Sequence, residues 1–126
     1  MPEKKIKIGL VEDDKFLSKM YQSKLGMEGF EVFAAYDGQE GLDMVRAKKP
    51  DIVLLDLVLP KLEGWDVLKA LKDDLNTKDI PVIILSNLGQ EEDVRKGQAM
   101  GAADYLIKAH FIPKEVIEKI RTILEK

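Results

Sequence analysis

The chain has 126 residues, 45% of them apolar and 34% charged, with 20 basic and 23 acidic side chains and a net charge of −3. That length suits one domain with one core, and the apolar share argues against disorder as the ground state. There is no cysteine and a single histidine, His110; disulfides, thiolate metal sites, Cys nucleophiles, multi-histidine metal sites and most triad chemistry are thereby excluded, and no basic tract marks nucleic acid as a direct partner.

The opening MPEKKIKIGLVEDD has too short an apolar stretch for a signal peptide, and carboxylates follow it at once. Ile6 to Val11 is apolar and β-branched and reads as a strand. Asp14 opens a helical pattern with Phe16, Leu17, Met20, Tyr21 and Leu25 on one face, and Gly29 ends it as a left-handed glycine would. Phe30 to Ala35 reads as a second strand. Asp37 and Glu40 form an Asp-x-x-Glu capping box before a helix through Leu42 and Val45, which Pro50 stops. Asp51 to Leu57 (DIVLLDL) is nearly continuously apolar, as suits a strand buried on both faces of a parallel sheet. Trp65, Leu68, Leu71 and Leu75 follow at helical spacing, with Trp65 packing at the start of that helix. Ile80 to Ser86 is another apolar run. Gln90 to Met100 reads as a polar helix ending at Gly101, and Ala103 to Lys108 as a fifth strand. Pro113 suits a first helical position, and Val116, Ile117, Ile120, Ile123 and Leu124 form the stripe of a last helix. No apolar run approaches the roughly 20 residues of a membrane span, so the expected location is the cytoplasm, with no membrane insertion.

A strand–helix unit repeated about five times predicts an α/β fold: a doubly wound, five-stranded parallel sheet with helices on both faces. Sites in such sheets lie beyond the carboxyl ends of the strands. Strand one ends in Glu12, Asp13 and Asp14, strand three around Asp56, strand four in Ser86 and Asn87, and strand five in Lys108. Asp14 and Asp37 are assigned to helix capping, and His110 to a loop without a catalytic role. Asp56 lies in an apolar stretch, where a carboxylate is costly unless paired or metal-bound. Nearby Glu12 and Asp13 add repulsion, which a divalent cation relieves, and all-oxygen ligation points to Mg²⁺. With Lys108 as a fixed cation and Ser86 as a hydroxyl donor, the set suits a phosphoryl group. VEDDKFL contains neither the glycines that would cradle a nucleotide nor the hydroxyls of a flavin loop. That leaves Asp56 as a nucleophile accepting phosphate covalently.

VEDD after strand one, LLDLVLP-x-x-x-G after strand three, ILS after strand four and DYLIK on strand five resemble bacterial two-component response-regulator receiver domains, the CheY-like family. The resemblance covers essentially the whole chain, so residues 1–126 are expected to form one receiver (response regulatory) domain acting as a single-domain regulator. It implies the flavodoxin-like strand order 2-1-3-4-5. It further implies Asp56 as phosphoacceptor, Asp13 as a direct Mg²⁺ ligand with Glu12 acting through water, and the carbonyl of Val58 completing the metal shell. Ser86 would hydrogen-bond the phosphoryl group and Lys108 would form a salt bridge to it. Tyr105 would be the aromatic that turns inward as Ser86 moves, and Pro60 and Gly64 match the turn after the acceptor.

The implied role is a phosphorylation-driven switch rather than an enzyme, catalysing only its own phosphoryl transfer and dephosphorylation. A sensor histidine kinase or phosphotransfer protein would supply the phosphate. A downstream protein would read the surface of helix four, strand five and helix five. Two departures from the family stand out. Lys108 is followed by Ala109 where proline is usual, often after a cis peptide. A cis bond before a non-proline costs about 2.5–4 kcal/mol, so that loop is either trans and differently shaped or strained. Asn87 and Leu88 follow Ser86 where smaller residues are common; Leu88 and Val58 would obstruct the water that removes phosphate. Other readings are a phosphate-independent pseudo-receiver and a small Asp-nucleophile phosphatase, although the second aspartate of a D-x-D pair is replaced by Val58.

Overall fold

The computed structural model describes residues 5–125; residues 1–4 and 126, included in the expected domain bounds, lie outside them. In chain order the elements are β1 (Lys7–Val11), α1 (Lys15–Met27), β2 (Glu31–Ala35), α2 (Gly38–Lys48), β3 (Ile52–Leu55), α3 (Gly64–Asp73), β4 (Val82–Ser86), α4 (Glu91–Ala99), β5 (Asp104–Ile107), a 3-10 turn (Lys108–His110) and α5 (Pro113–Leu124). All pairings are parallel and the strand order is β2-β1-β3-β4-β5, as expected.

The apolar runs explain the two-sided burial. Successive strand residues point to opposite faces, so a strand covered on both sides has no polar register. Ile52 and Leu54 of β3 join Tyr21 and Leu25 of α1 and Val116, Ile117 and Ile120 of α5 in one core. Val53 and Leu55 join Leu42 and Val45 of α2 and Val67, Leu68 and Leu71 of α3 in the other. The α4 helix contributes only partly buried Val94 to that second core.

Local signals set the helix ends. The Asp14 carboxylate accepts from the Leu17 N–H at 3.1 Å, satisfying a donor that the first turn leaves free. Gly29 takes φ +90° and the Phe30 N–H closes on the Leu25 carbonyl at 3.1 Å, the left-handed exit that glycine allows. Asp37 accepts from the Glu40 N–H at 2.7 Å. Glu40 reaches back to the Tyr36 N–H at 3.2 Å, one residue earlier than the capping box predicts.

Several expectations are corrected. Phe16 is 87% exposed instead of facing the core, because Ser18, Tyr21 and Leu25 turn the buried face of α1 away from it. Leu75 lies beyond α3 and is 80% exposed. Strand three stops at Leu55, and Asp56 and Leu57 start the following loop. Strand five stops at Ile107, so Lys108 opens the 3-10 turn rather than ending the strand. Peptides in the described residues are all trans, which answers the open question at Ala109: the chain turns there without a cis bond.

The register aligns Val11 with Leu55, Leu55 with Ile84, and Ser86 with Ile107. The residues after β1, β3 and β5 and the last residue of β4 therefore meet at one end of the sheet. The strand order reverses between β1 and β3 there, which opens the crevice where ligands of such sheets sit.

Candidate functional site

Asp56 follows the last rung of β3, where its backbone N–H still donates to the Val11 carbonyl at 3.0 Å. Its carboxylate is buried, and Oδ1 accepts from the N–H groups of Leu57 at 2.7 Å and Val58 at 3.3 Å. Oδ2 accepts from Lys108 Nζ at 2.8 Å. Lys108 also donates to Glu12 Oε1, so one ammonium bridges two carboxylates that directly follow β1 and β3. The trans 3-10 turn thus delivers Lys108 to the acidic pair without proline at position 109.

Glu12 is buried, and its Oε2 accepts from the Asp14 N–H at 3.1 Å. Asp13 is exposed, yet oxygen atoms of Glu12, Asp13 and Asp56 all lie within 4.8 Å of one another. Three carboxylates against one ammonium leave an excess of negative charge. Hard oxygen donors in that number suit Mg²⁺.

The charges leave their mark on titration. Burial raises the Glu12 pKa to about 6, against hydrogen bonds from Lys108 and the Asp14 N–H that pull it down. Burial acts on Lys108 in the opposite sense, but the hydrogen bonds and charges of Asp56 and Glu12 outweigh it and its pKa is raised. Lys108 is therefore a permanent cation at this site.

Ser86 ends β4 and is buried. Its hydroxyl accepts from the Leu88 N–H at 3.3 Å and makes no hydrogen bond to Asp56 among the described residues. Tyr105 of β5 is also buried, already inward, and its hydroxyl donates to the Leu88 carbonyl. Burial, with the negative charges of Asp93 and Asp56, raises its pKa to about 12, so the phenol remains a donor. Val58 is 61% exposed and Leu88 36% exposed, both beside the acidic end of the sheet.

Asp14 caps α1, His110 is exposed in the 3-10 turn, and Trp65 sits in the first turn of α3 with Lys96 Nζ 4.3 Å from its ring centroid. Three features were not legible in advance. Lys61 has φ +66°, with the Leu62 N–H on the Pro60 carbonyl at 2.7 Å and its ammonium 3.6 Å from Asp37. A Cβ on Gly64 would overlap the Asp56 carbonyl. The Leu88 carbonyl is the acceptor for Tyr105, and no side-chain pattern marks a backbone oxygen.

The family model described as "Response regulator receiver domain" matches residues 8–121. The transcriptional regulatory protein CpxR of Escherichia coli K12 is 42% identical over 120 residues, 95% of this chain and 50% of that protein. The chain spans about half the length of the curated relatives it matches. Among solved structures, the receiver domain of the Francisella response regulator 1452 is 30% identical, with a TM-score of 0.87 over 94% of this chain and 96% of that one. A CheY-like receiver domain protein from Methanospirillum hungatei is 25% identical, with a TM-score of 0.90 over 97% of this chain and 95% of that one.

Proposed function

Because the chain belongs to the response regulator receiver domain family of two-component signalling, we propose that residues 1–126 act as a phosphorylation switch with Asp56 as the acceptor. The observation that carries this reading is the convergence of Glu12, Asp13 and Asp56 on one point, with Lys108 bonded to the acceptor itself.

Asp13 and Asp56 would hold Mg²⁺ directly, with the Val58 carbonyl, and Glu12 would act through water. Bound there, the ion offsets the charge of the carboxylates and of the phosphoryl oxygens. The Asp56 carboxylate attacks phosphorus in line. A new O–P bond forms as the donor's P–N or P–O bond breaks, and the donor leaves with that electron pair. Lys108 balances the charge on the transferring oxygens. Its ammonium already spans the acidic pair, so little reorganisation is needed. The phosphate donor is a sensor histidine kinase, a phosphotransfer protein or a small acyl phosphate.

The acyl phosphate then offers acceptors that the carboxylate lacks. Ser86 exchanges its bond to the Leu88 N–H for one to the phosphoryl group, and the Leu88 segment moves with it. Charge-assisted hydrogen bonds of this kind are worth roughly 1.5–3 kcal/mol, enough to bias two conformations by the typical coupling of about 1–3 kcal/mol. Tyr105 is tied to that same segment through the Leu88 carbonyl, so the change reaches the α4–β5–α5 surface, which a downstream protein reads. The protein is a switch and turns over no external substrate beyond its own phosphoryl group.

The test is intact mass after incubation with acetyl phosphate. Wild-type protein gains one phosphoryl group with Mg²⁺ and none with EDTA, and Asp56→Asn gains none. No gain in wild type, or equal gain in Asp56→Asn, overturns the assignment.

A further inference from the structure

The sequence of α4 is polar, and Gly97 is its one buried residue. A glycine inside a helix is disfavoured relative to alanine, so a glycine at the buried point of so short a helix calls for a steric reason. The structure supplies one. A Cβ at position 97 would stand 2.9 Å from Tyr105 Cδ2, 3.4 Å from Tyr105 Cε2 and 2.8 Å from Ile84 Cδ1. The Tyr105 ring therefore lies in the space that a side chain at position 97 would take.

The two neighbours differ in their freedom. Ile84 is fully buried in a central strand, paired on one side with Leu55 and on the other with Tyr105. Tyr105 is on the edge strand β5, and the hydrogen bond of its hydroxyl goes to a loop carbonyl, that of Leu88. We propose that Gly97 is the seat of the Tyr105 ring, a positioning residue whose lack of a side chain holds the ring inward. The size of residue 97 then sets the balance between inward and outward ring, and with it the shape of the α4–β5 face. The consequence for signalling rests on the phosphorylation switch described above; the seat itself does not.

Fluorine NMR of protein labelled with fluorotyrosine reads the ring directly. Tyr21, Tyr36 and Tyr105 are the three reporters, and Tyr105→Phe assigns the signal. In Gly97→Ala, the Tyr105 resonance should move and become sensitive to a soluble paramagnetic agent, while that of buried Tyr21 stays unchanged and reports an intact fold. A Tyr105 signal that keeps its wild-type position and protection in folded Gly97→Ala overturns the proposal. A second measurement covers a variant that folds poorly. Gly97→Ala should lower the urea midpoint clearly more in the wild-type background than in Tyr105→Ala, where the ring is gone and only the contact with Ile84 Cδ1 remains. An equal drop in both backgrounds places the conflict at Ile84 or the backbone and also overturns the seat.

Addition of beryllofluoride with Mg²⁺ separates this proposal from the one it rests on. If both hold, the ring signal of Gly97→Ala returns toward the inward position. If Gly97→Ala releases the ring but beryllofluoride moves it in neither protein, the seat stands and the phosphorylation reading fails.

Discussion

Lys108 is the residue on which the acidic end of the sheet depends. Its ammonium is bonded to both Glu12 and Asp56, and all three side chains are largely buried. Burial leaves Glu12 with a folded pKa of about 6 against an ordinary value of 4.5. The folded chain thus binds this proton more tightly than the unfolded chain. The stability that Glu12 contributes is full below pH 4.5 and is lost as pH rises through about 6. Asp13, Asp56 and Lys108 are the charged groups that surround it. In metal-free protein, Glu12→Gln should be more stable than wild type at pH 7 by up to about 2 kcal/mol, from 1.36 kcal/mol per pKa unit. The advantage should shrink to a few tenths of a kcal/mol, roughly, at pH 4.5 and vanish below it. Urea unfolding of both proteins in EDTA across that range measures it; a constant difference would show that Glu12 does not carry the titration. Acidic residues on this strand end were legible in VEDD, and so was Asp56 in LLDL. The tie between Tyr105 and Leu88 was not, because it ends on a backbone carbonyl.

At the scale of elements, the apolar runs of β3 and β4 were readable because both faces are covered, and Asp14 and Gly29 marked the ends of α1 by their chemistry. The boundaries moved where the ladder stops before the apolar run does, as at Asp56 and Leu57. Phe16 misled because it continues the helical spacing while lying outside the buried stripe of α1. The loop after β3 was least legible. It holds a positive φ at Lys61, a residue with no special preference for it, and it is pressed against α2 and α3. Gly38 donates to the Pro60 carbonyl at 3.1 Å, and Gly64 to the Leu57 carbonyl at 2.9 Å. Gly64→Ala would drive a Cβ into the Asp56 carbonyl. Overpacking of this sort costs typically about 1–3 kcal/mol, and here the strain falls on the backbone that carries Asp56. The variant should lose that much stability in urea and gain phosphoryl mass more slowly than wild type. Wild-type labelling kinetics in a folded Gly64→Ala would show that the loop does not position Asp56.

On the scale of the whole molecule, strand order turns distant sequence into one site. Glu12 and Lys108 are separated by 96 positions and Asp56 and Lys108 by 52, yet all three are bonded together. The resemblance to receiver domains made this order expected, and the parallel register puts the strand ends side by side. Among the described residues no helix is long and apolar enough to cross a membrane. Under the proposed function, this convergence singles out Asp56, among 23 acidic side chains, as the group that takes up phosphate. Borohydride reduction of the acetyl phosphate-treated protein converts an aspartyl phosphate to homoserine, which peptide mass spectrometry locates. Homoserine is expected at position 56 alone, formed only when Mg²⁺ was present; homoserine at another acidic residue, or none in protein that had gained phosphoryl mass, would rule Asp56 out as the acceptor.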